Sequence, residues 1–201
     1  MTAMTFWDRV APKYARSKIK DLDNYHRSLE RTRSYLKPTD RVLELGCGTG
    51  STALLLADNV AEYVGTDISG AMIDIARAKP DAPDGLRFVQ ASADAAIEGA
   101  PFDVVMGLNL YHLVEDLDGA LRHAHTLTKP GGLFISKTVC LWQKRWFVGP
   151  LVKIMQLMGK APFVHLLKQS DLETRIEAAG FEIIETGNYP AISRYVVARR
   201  S

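Results

Sequence analysis

Residues Val42–Gly50 read V-L-E-L-G-C-G-T-G, and the next apolar run ends V-G-T-D at Asp67. An apolar strand, a glycine-rich turn opening a helix, and a second strand ending in a carboxylate make a nucleotide-type pocket at the carboxyl ends of parallel strands. The turn itself narrows the ligand. A dinucleotide fingerprint has the order G-x-G-x-x-G, whereas here Gly46, Gly48 and Gly50 are followed by Ser51. A P-loop needs a Lys after its glycines, and none follows. Glu44 stands two residues before the first glycine. A carboxylate there repels a pyrophosphate and suits a ligand bearing an ammonium or sulfonium.

Outward from this stretch, strands alternate with helices. The spacing predicts helices over 6–18 and 22–36, the second ended by Pro38. Strands follow at 41–45, 61–66, 86–90, 102–107, 133–139, 181–186 and 195–199. Helices are expected at 49–58, 69–78 with Ser69 as N-cap, 116–127 and 171–179. Lys129-Pro130-Gly131-Gly132 reads as the stop after the 116–127 helix. The pattern predicts a three-layer α/β, Rossmann-like fold over residues 1–201 as one domain, its sheet covered on both faces.

Composition agrees: 201 residues, 47% hydrophobic and 24% charged, fit one globular domain with a filled core. The net charge of +2 is too small to imply nucleic acid as a partner. Cys47 and Cys140 are too few for a disulfide framework or a four-Cys zinc site, and no metal is expected. The first ten residues lack an apolar signal core, and no apolar run reaches transmembrane length, so a cytoplasmic location is the expectation.

From the glycine spacing and Glu44, S-adenosyl-L-methionine (SAM) is favoured over NAD or ATP. V-L-E-L-G-C-G-T-G, G-T-D-I-S-G-A-M, A-S-A-D-A, F-D-V-V-M-G-L-N-L-Y-H-L-V-E-D and L-T-K-P-G-G-L-F-I-S also resemble the successive motifs of class I SAM-dependent methyltransferases. The resemblance runs from about Tyr14 to the C-terminus. It implies a mostly parallel seven-stranded sheet with the last strand antiparallel, SAM as cofactor and S-adenosyl-L-homocysteine (SAH) as product. The opening F-W-D-R-V-A-P-K-Y-A is similar to the start of ubiquinone/menaquinone C-methyltransferases, in which a Tyr here lies over the cofactor. That likeness makes Tyr14 a cofactor contact and a candidate catalytic group. The segment after the fifth strand departs from those enzymes, so their substrate does not carry over.

Within the pocket, Gly46 and Gly48 let backbone approach the cofactor's methionine part, and Gly50 allows close helix packing. Asp67 is placed to accept from a ribose diol, or to cap the helix near Ser69. Ile68 and Met72 can sandwich an adenine face, or simply pack in the core. The resemblance assigns Asp94, in the loop with Ala93, to the adenine amino group, and puts Asn109 among the cofactor contacts. Cys47 reads as a small filler whose backbone meets the cofactor, since a nucleophile needs an activating base. His112, in N-L-Y-H-L, is a candidate general base at the cleft mouth, or a pocket wall. Strand alternation would send Tyr111 to the opposite side. His123 and His125 are expected on the surface.

Between Gly119 and Ser170 there is no Asp or Glu, while Arg122, Lys129, Lys137, Lys144, Arg145, Lys153, Lys160 and Lys168 all occur there. Residues 140–168, with Trp142 and Trp146, read as a hydrophobic and basic insertion. Three roles are open: a lid or acceptor-pocket wall, peripheral contact with a membrane surface, or plain packing. Each functional role favours a hydrophobic or anionic acceptor. The leading function is methyl transfer to a small or lipid-like molecule. A phospholipid methyltransferase and a non-catalytic SAM-binding protein are the alternatives. A nucleic-acid methyltransferase is disfavoured because N-L-Y-H replaces the Asn/Asp-Pro-Pro-aromatic motif of such enzymes.

Overall fold

The structure is a computed structural model that describes residues 2–201, so Met1 of the expected domain lies outside it. Two N-terminal helices, α1 (Ala3–Arg16) and α2 (Leu22–Arg33), precede the first strand. There follow β1 (Arg41–Leu45), α3 (Ser51–Leu56), β2 (Glu62–Asp67), α4 (Gly70–Arg77), β3 (Leu86–Gln90), β4 (Phe102–Leu108) and α5 (Leu117–Leu127). The chain ends with β5 (Thr128–Val139), α6 (Arg145–Leu157), α7 (Gln169–Ala178), β6 (Phe181–Asn188) and β7 (Ser193–Arg200). The sheet order is β3-β2-β1-β4-β5-β7-β6. β7 runs antiparallel to both its neighbours, and the other pairs are parallel. This is the doubly covered, Rossmann-like sheet expected, with its last strand reversed.

Alternation along the strands builds two cores. Leu43, Val105, Phe134 and Val196 face α5 and α7, packing with Leu121, Leu172 and Ile176. Val42, Val104, Ile135 and Val197 face the other way, packing with Leu29, Leu56 and Ile73 of α2, α3 and α4. Odd and even positions of each strand point to opposite faces, so continuous apolar runs such as Val42–Leu45 fill both. Glu44 shares the parity of Val42 and is the one charged residue of that run, only 2% exposed.

Most bounds shift by one to three residues, and two of the differences have clear local reasons. The Lys129–Gly132 stretch does not break the chain between helix and strand: Thr128 already pairs with Phe102, and a register shift before Leu133 absorbs the extra residues. Gly131, at φ +75°, supplies the backbone for that bulge. The expected 49–58 helix ends at Leu56 and tightens into a 3₁₀ turn over Ala57–Asn59. Ser69 caps α4 as expected, its Oγ accepting from Met72 N–H at 3.1 Å.

Candidate active site

The carboxyl ends of β1, β2, β4 and β5 open onto one cleft of about 830 Å³, within the range of roughly 300–1,000 Å³ usual for small-molecule sites. Its floor is the glycine turn after β1, held from β2. Cys47 N–H donates to Thr66 O at 2.8 Å, and Gly48 N–H donates to Asp67 Oδ2 at 2.9 Å. The other carboxylate oxygen, Asp67 Oδ1, accepts from Ser69 N–H at 2.9 Å. Asp67 therefore fixes the turns after both β1 and β2. A carboxylate offers about four acceptor positions, so capacity remains for a ligand. Gly48 lies at φ +55°, and a Cβ there would face the Tyr14 ring at 3.8 Å. The absent side chain leaves the backbone open beneath Tyr14.

Glu44 accepts from Tyr63 Oη–H at 2.8 Å. Burial raises its pKa from 4.5 to about 7, against the lowering effect of the Tyr63 hydrogen bond and with a smaller push from Asp67. Asp67 is raised too, by burial, against its two backbone donors. Neither carboxylate pairs with a Lys, Arg or His among the described residues. A buried acid without a counter-ion favours a cationic ligand, which would hold it ionised.

α1 forms the wall over this floor. Asp8 Oδ1 accepts from Ser69 Oγ–H at 2.6 Å and from Ala71 N–H at 3.2 Å, tying α1 to the start of α4. Tyr14 follows along the same helix. Desolvation, then the charges of Asp67 and Glu44, push its phenol up, although the residue is half exposed. Ile68, Met72, Ala93 and Asp94 line the side toward β3. Asp94 accepts from Ser92 Oγ–H, which holds its carboxyl below the usual range.

All the residues expected to contact the cofactor thus line one cleft: Tyr14, Glu44, Gly46, Cys47, Gly48, Asp67, Ile68, Met72, Ala93, Asp94 and Asn109. Cys47 is buried and its thiol pushed well up by desolvation, consistent with a filler. Asn109 sits at φ +60°, unusual for a side-chain-bearing residue, and its N–H donates to Lys137 O at 2.6 Å.

His112 is the exception. It was expected at the cleft mouth, but it does not line the cleft. The chain leaves β4 into a 3₁₀ turn over Tyr111–Leu113, so strand alternation stops applying. Tyr111 is fully buried against Phe134, and the His165 backbone N–H donates to His112 O at 2.7 Å. Burial lowers the His112 pKa to about 4, and its Nδ1 has no partner. His123 corrects in the other direction: expected on the surface, it lines the cleft beside Asp94, its ring Nε2 2.9 Å from Ala95 O. Lys137, Tyr25 and Ser193 line the cleft toward β5 and were not singled out as site residues. None of residues 140–168 lines it, so the insertion is not a pocket wall here.

A family model described as a methyltransferase domain matches residues 13–186. The chain belongs to the methyltransferase-domain family. Its motifs and fold are those of the class I SAM-dependent methyltransferases. Among curated relatives, the ubiquinone biosynthesis O-methyltransferase of Azorhizobium caulinodans is 31% identical over 152 residues, covering 72% of this chain and 60% of that protein. The reducing polyketide synthase grgA of Penicillium sp is 28% identical over 182 residues, covering 81% of this chain and 7% of the synthase. The chain thus spans less than two thirds of either relative. The magnesium protoporphyrin IX methyltransferase of Synechocystis PCC 6803, solved with bound SAH, shares the fold with a TM-score of 0.70 and 20% identity, over 98% of this chain and 94% of that one. SAM is the cofactor of the family, and the uncompensated acids over an open glycine turn suit its positive charge.

Proposed function

We propose that this methyltransferase passes the methyl group of SAM to a small hydrophobic or anionic acceptor lying over the ends of β4 and β5. The observation that carries the reading is the buried carboxylate of Glu44 beside the half-buried one of Asp67, both facing the cleft without a protein cation. Asp67 holds the ribose diol with its remaining acceptor positions, and Asp94 meets the adenine amino group. Ile68 and Met72 take the two faces of the base. Glu44 faces the methionine part, whose charge offsets the cost of ionising it. Bound SAM supplies an already electrophilic sulfonium methyl. The protein's contribution is to orient the acceptor in line and exclude water, with Tyr14 covering the opening.

A thermal-shift titration with SAH, with NAD as control and Asp67→Ala beside it, tests this. Saturation at one hundred times Kd adds about 2.7 kcal/mol, which is a rise of roughly 2–4 °C for a chain of this size. A rise with SAH that vanishes in Asp67→Ala supports the reading. No rise, or a rise with NAD, overturns it.

A second feature favours work at a membrane surface. α6 has no buried residue. Trp146 is 74% exposed, Phe147 85% and Leu157 87%, and Leu151, Ile154 and Met158 continue the same outward stripe. Lys144, Arg145, Lys153 and Lys160 surround it in an acid-free segment. No helix among the described residues is long and apolar enough to cross a membrane. An outward apolar stripe with flanking cations suits a helix lying in the interface of an anionic bilayer. Cosedimentation with anionic vesicles at low salt, against neutral ones, is the check. Equal or absent binding to both removes this reading.

A further inference from the structure

The cleft is acidic at its β1–β2 side and carries a buried cation at its β5 side. Lys137 is the third residue from the end of β5, beside Leu108 of β4 and Tyr195 of β7. It has the parity of Ile135, so it shares the sheet face of Glu44. Two strand spacings across the sheet and two residues along it separate them, about 12 Å. α2 covers it, leaving the residue 8% exposed, yet it lines the cleft.

Its hydrogen bonding is incomplete. Nζ donates to Ser28 Oγ at 2.9 Å, and Ser28 in turn donates to Tyr25 O. An ammonium has three N–H groups, so two are left for the cleft. No carboxylate of the described residues lies in ion-pair contact with it. The one acid whose charge reaches it is Asp21, and that carboxylate is already engaged in capping α2, accepting from Asn24 N–H and Nδ2–H at 3.2 and 2.9 Å. Burial pulls the Lys137 pKa down, the expected cost of a cation without a partner. Tying α2 to β5 does not explain the charge, since a neutral donor would bond Ser28 equally well.

We propose that Lys137 is the specificity-determining group for the acceptor, binding a carboxylate-type oxyanion on it. The inference rests on the methyltransferase reading, because it assigns the β1–β2 side of the cleft to the cofactor and the β5 side to the acceptor. A cationic methyl donor then sits against Glu44 and Asp67 while an anionic acceptor sits against Lys137, each charge meeting its opposite. The anion serves as a handle that orients the acceptor.

The experiment is a calorimetric titration of SAH-loaded protein with a panel of aliphatic and aromatic carboxylic acids, each paired with its uncharged methyl ester. The panel should show carboxylates binding about tenfold or more tighter than their esters, the size expected of a charge-assisted hydrogen bond. Lys137→Arg should keep that preference and Lys137→Gln should lose it, with SAH affinity unchanged in both. A merely structural Lys137 would lower the melting temperature of the variants without moving the carboxylate-to-ester ratio. Wild-type protein that binds SAH but shows no preference, or binds no carboxylate, overturns this inference alone. Preference retained in Lys137→Gln overturns it too. Failure of the wild type to bind SAH instead overturns the methyltransferase reading beneath it.

Discussion

The two sides of the cleft are made in different ways. Toward β2 and β3, the site is local: the glycine turn, Asp67 and the capped start of α4 lie within about thirty residues and hold one another by backbone hydrogen bonds. Toward β5, it is assembled from afar: Lys137 is bonded to Ser28, 109 positions earlier, and Ser193 arrives on the reversed strand β7. The first side is built around acids. The second is a cation under a helix, with Tyr25 beside it. A common cofactor needs the same groups wherever it binds, and short motifs supply them. An acceptor is particular to the enzyme, and its contacts come from whichever elements the fold brings near.

The largest effect that tests this contrast is Asp67→Ala. Losing two charge-assisted hydrogen bonds to the ligand costs about 3–6 kcal/mol of SAH affinity, read by calorimetry. The carboxylate preference at the β5 side should survive in any variant that still binds SAH weakly. Loss of both together would show that the two sides are one unit.

Glu44 gives the next largest. Its folded pKa is raised from 4.5 to about 7, so the folded state holds the proton more tightly than the unfolded chain does. The contribution to stability is full below pH 4.5 and falls as pH rises to about 7, by roughly 3 kcal/mol. Melting curves of the ligand-free protein between these pH values should show the fall, and Glu44→Gln should flatten it. SAM affinity should rise through the same window, because the cation needs the ionised form.

Trp146→Ala with Phe147→Ala should cut binding to anionic vesicles by about tenfold or more, as expected from removing two exposed aromatic groups, and leave SAH binding unchanged. Tyr63→Phe is the finest probe. It removes the one hydrogen bond that lowers the Glu44 pKa, so the midpoint of SAM affinity against pH should move upward. The stability change is about 1 kcal/mol, measurable by urea denaturation.

What could be read from the sequence follows the same division. β1 and β3 have the bounds that their apolar runs predict, and Ser69 caps α4 because a hydroxyl before a helical run has that geometry available. The fold class and the cofactor-side residues were legible because period and short-range motifs carry them. His112 was misplaced because a 3₁₀ turn replaced the strand on which the alternation argument relied. The Lys129–Gly132 turn was absorbed into β5 because pairing of Thr128 with Phe102 overrides local turn preference. Lys137 could be placed on a strand, but nothing in its neighbours says that α2 will bury it without a counter-ion. The outward stripe of α6 is equally hidden, since periodicity shows that a helix has an apolar face and not which way that face turns.

Asp67 has an implication for how distant sequences are compared. The same carboxylate that we propose for the ribose also holds the amides of Gly48 and Ser69. A descendant that lost its nucleoside ligand would still be penalised for losing this acid, because two turns would loosen. Selection for folding alone can therefore preserve it long after selection for catalysis has lapsed. Glu44 has the opposite character: without a cation its ionised form costs stability as pH rises toward 7, so drift should remove it first. In a lineage, Glu44 is the residue whose retention records continued use of the site.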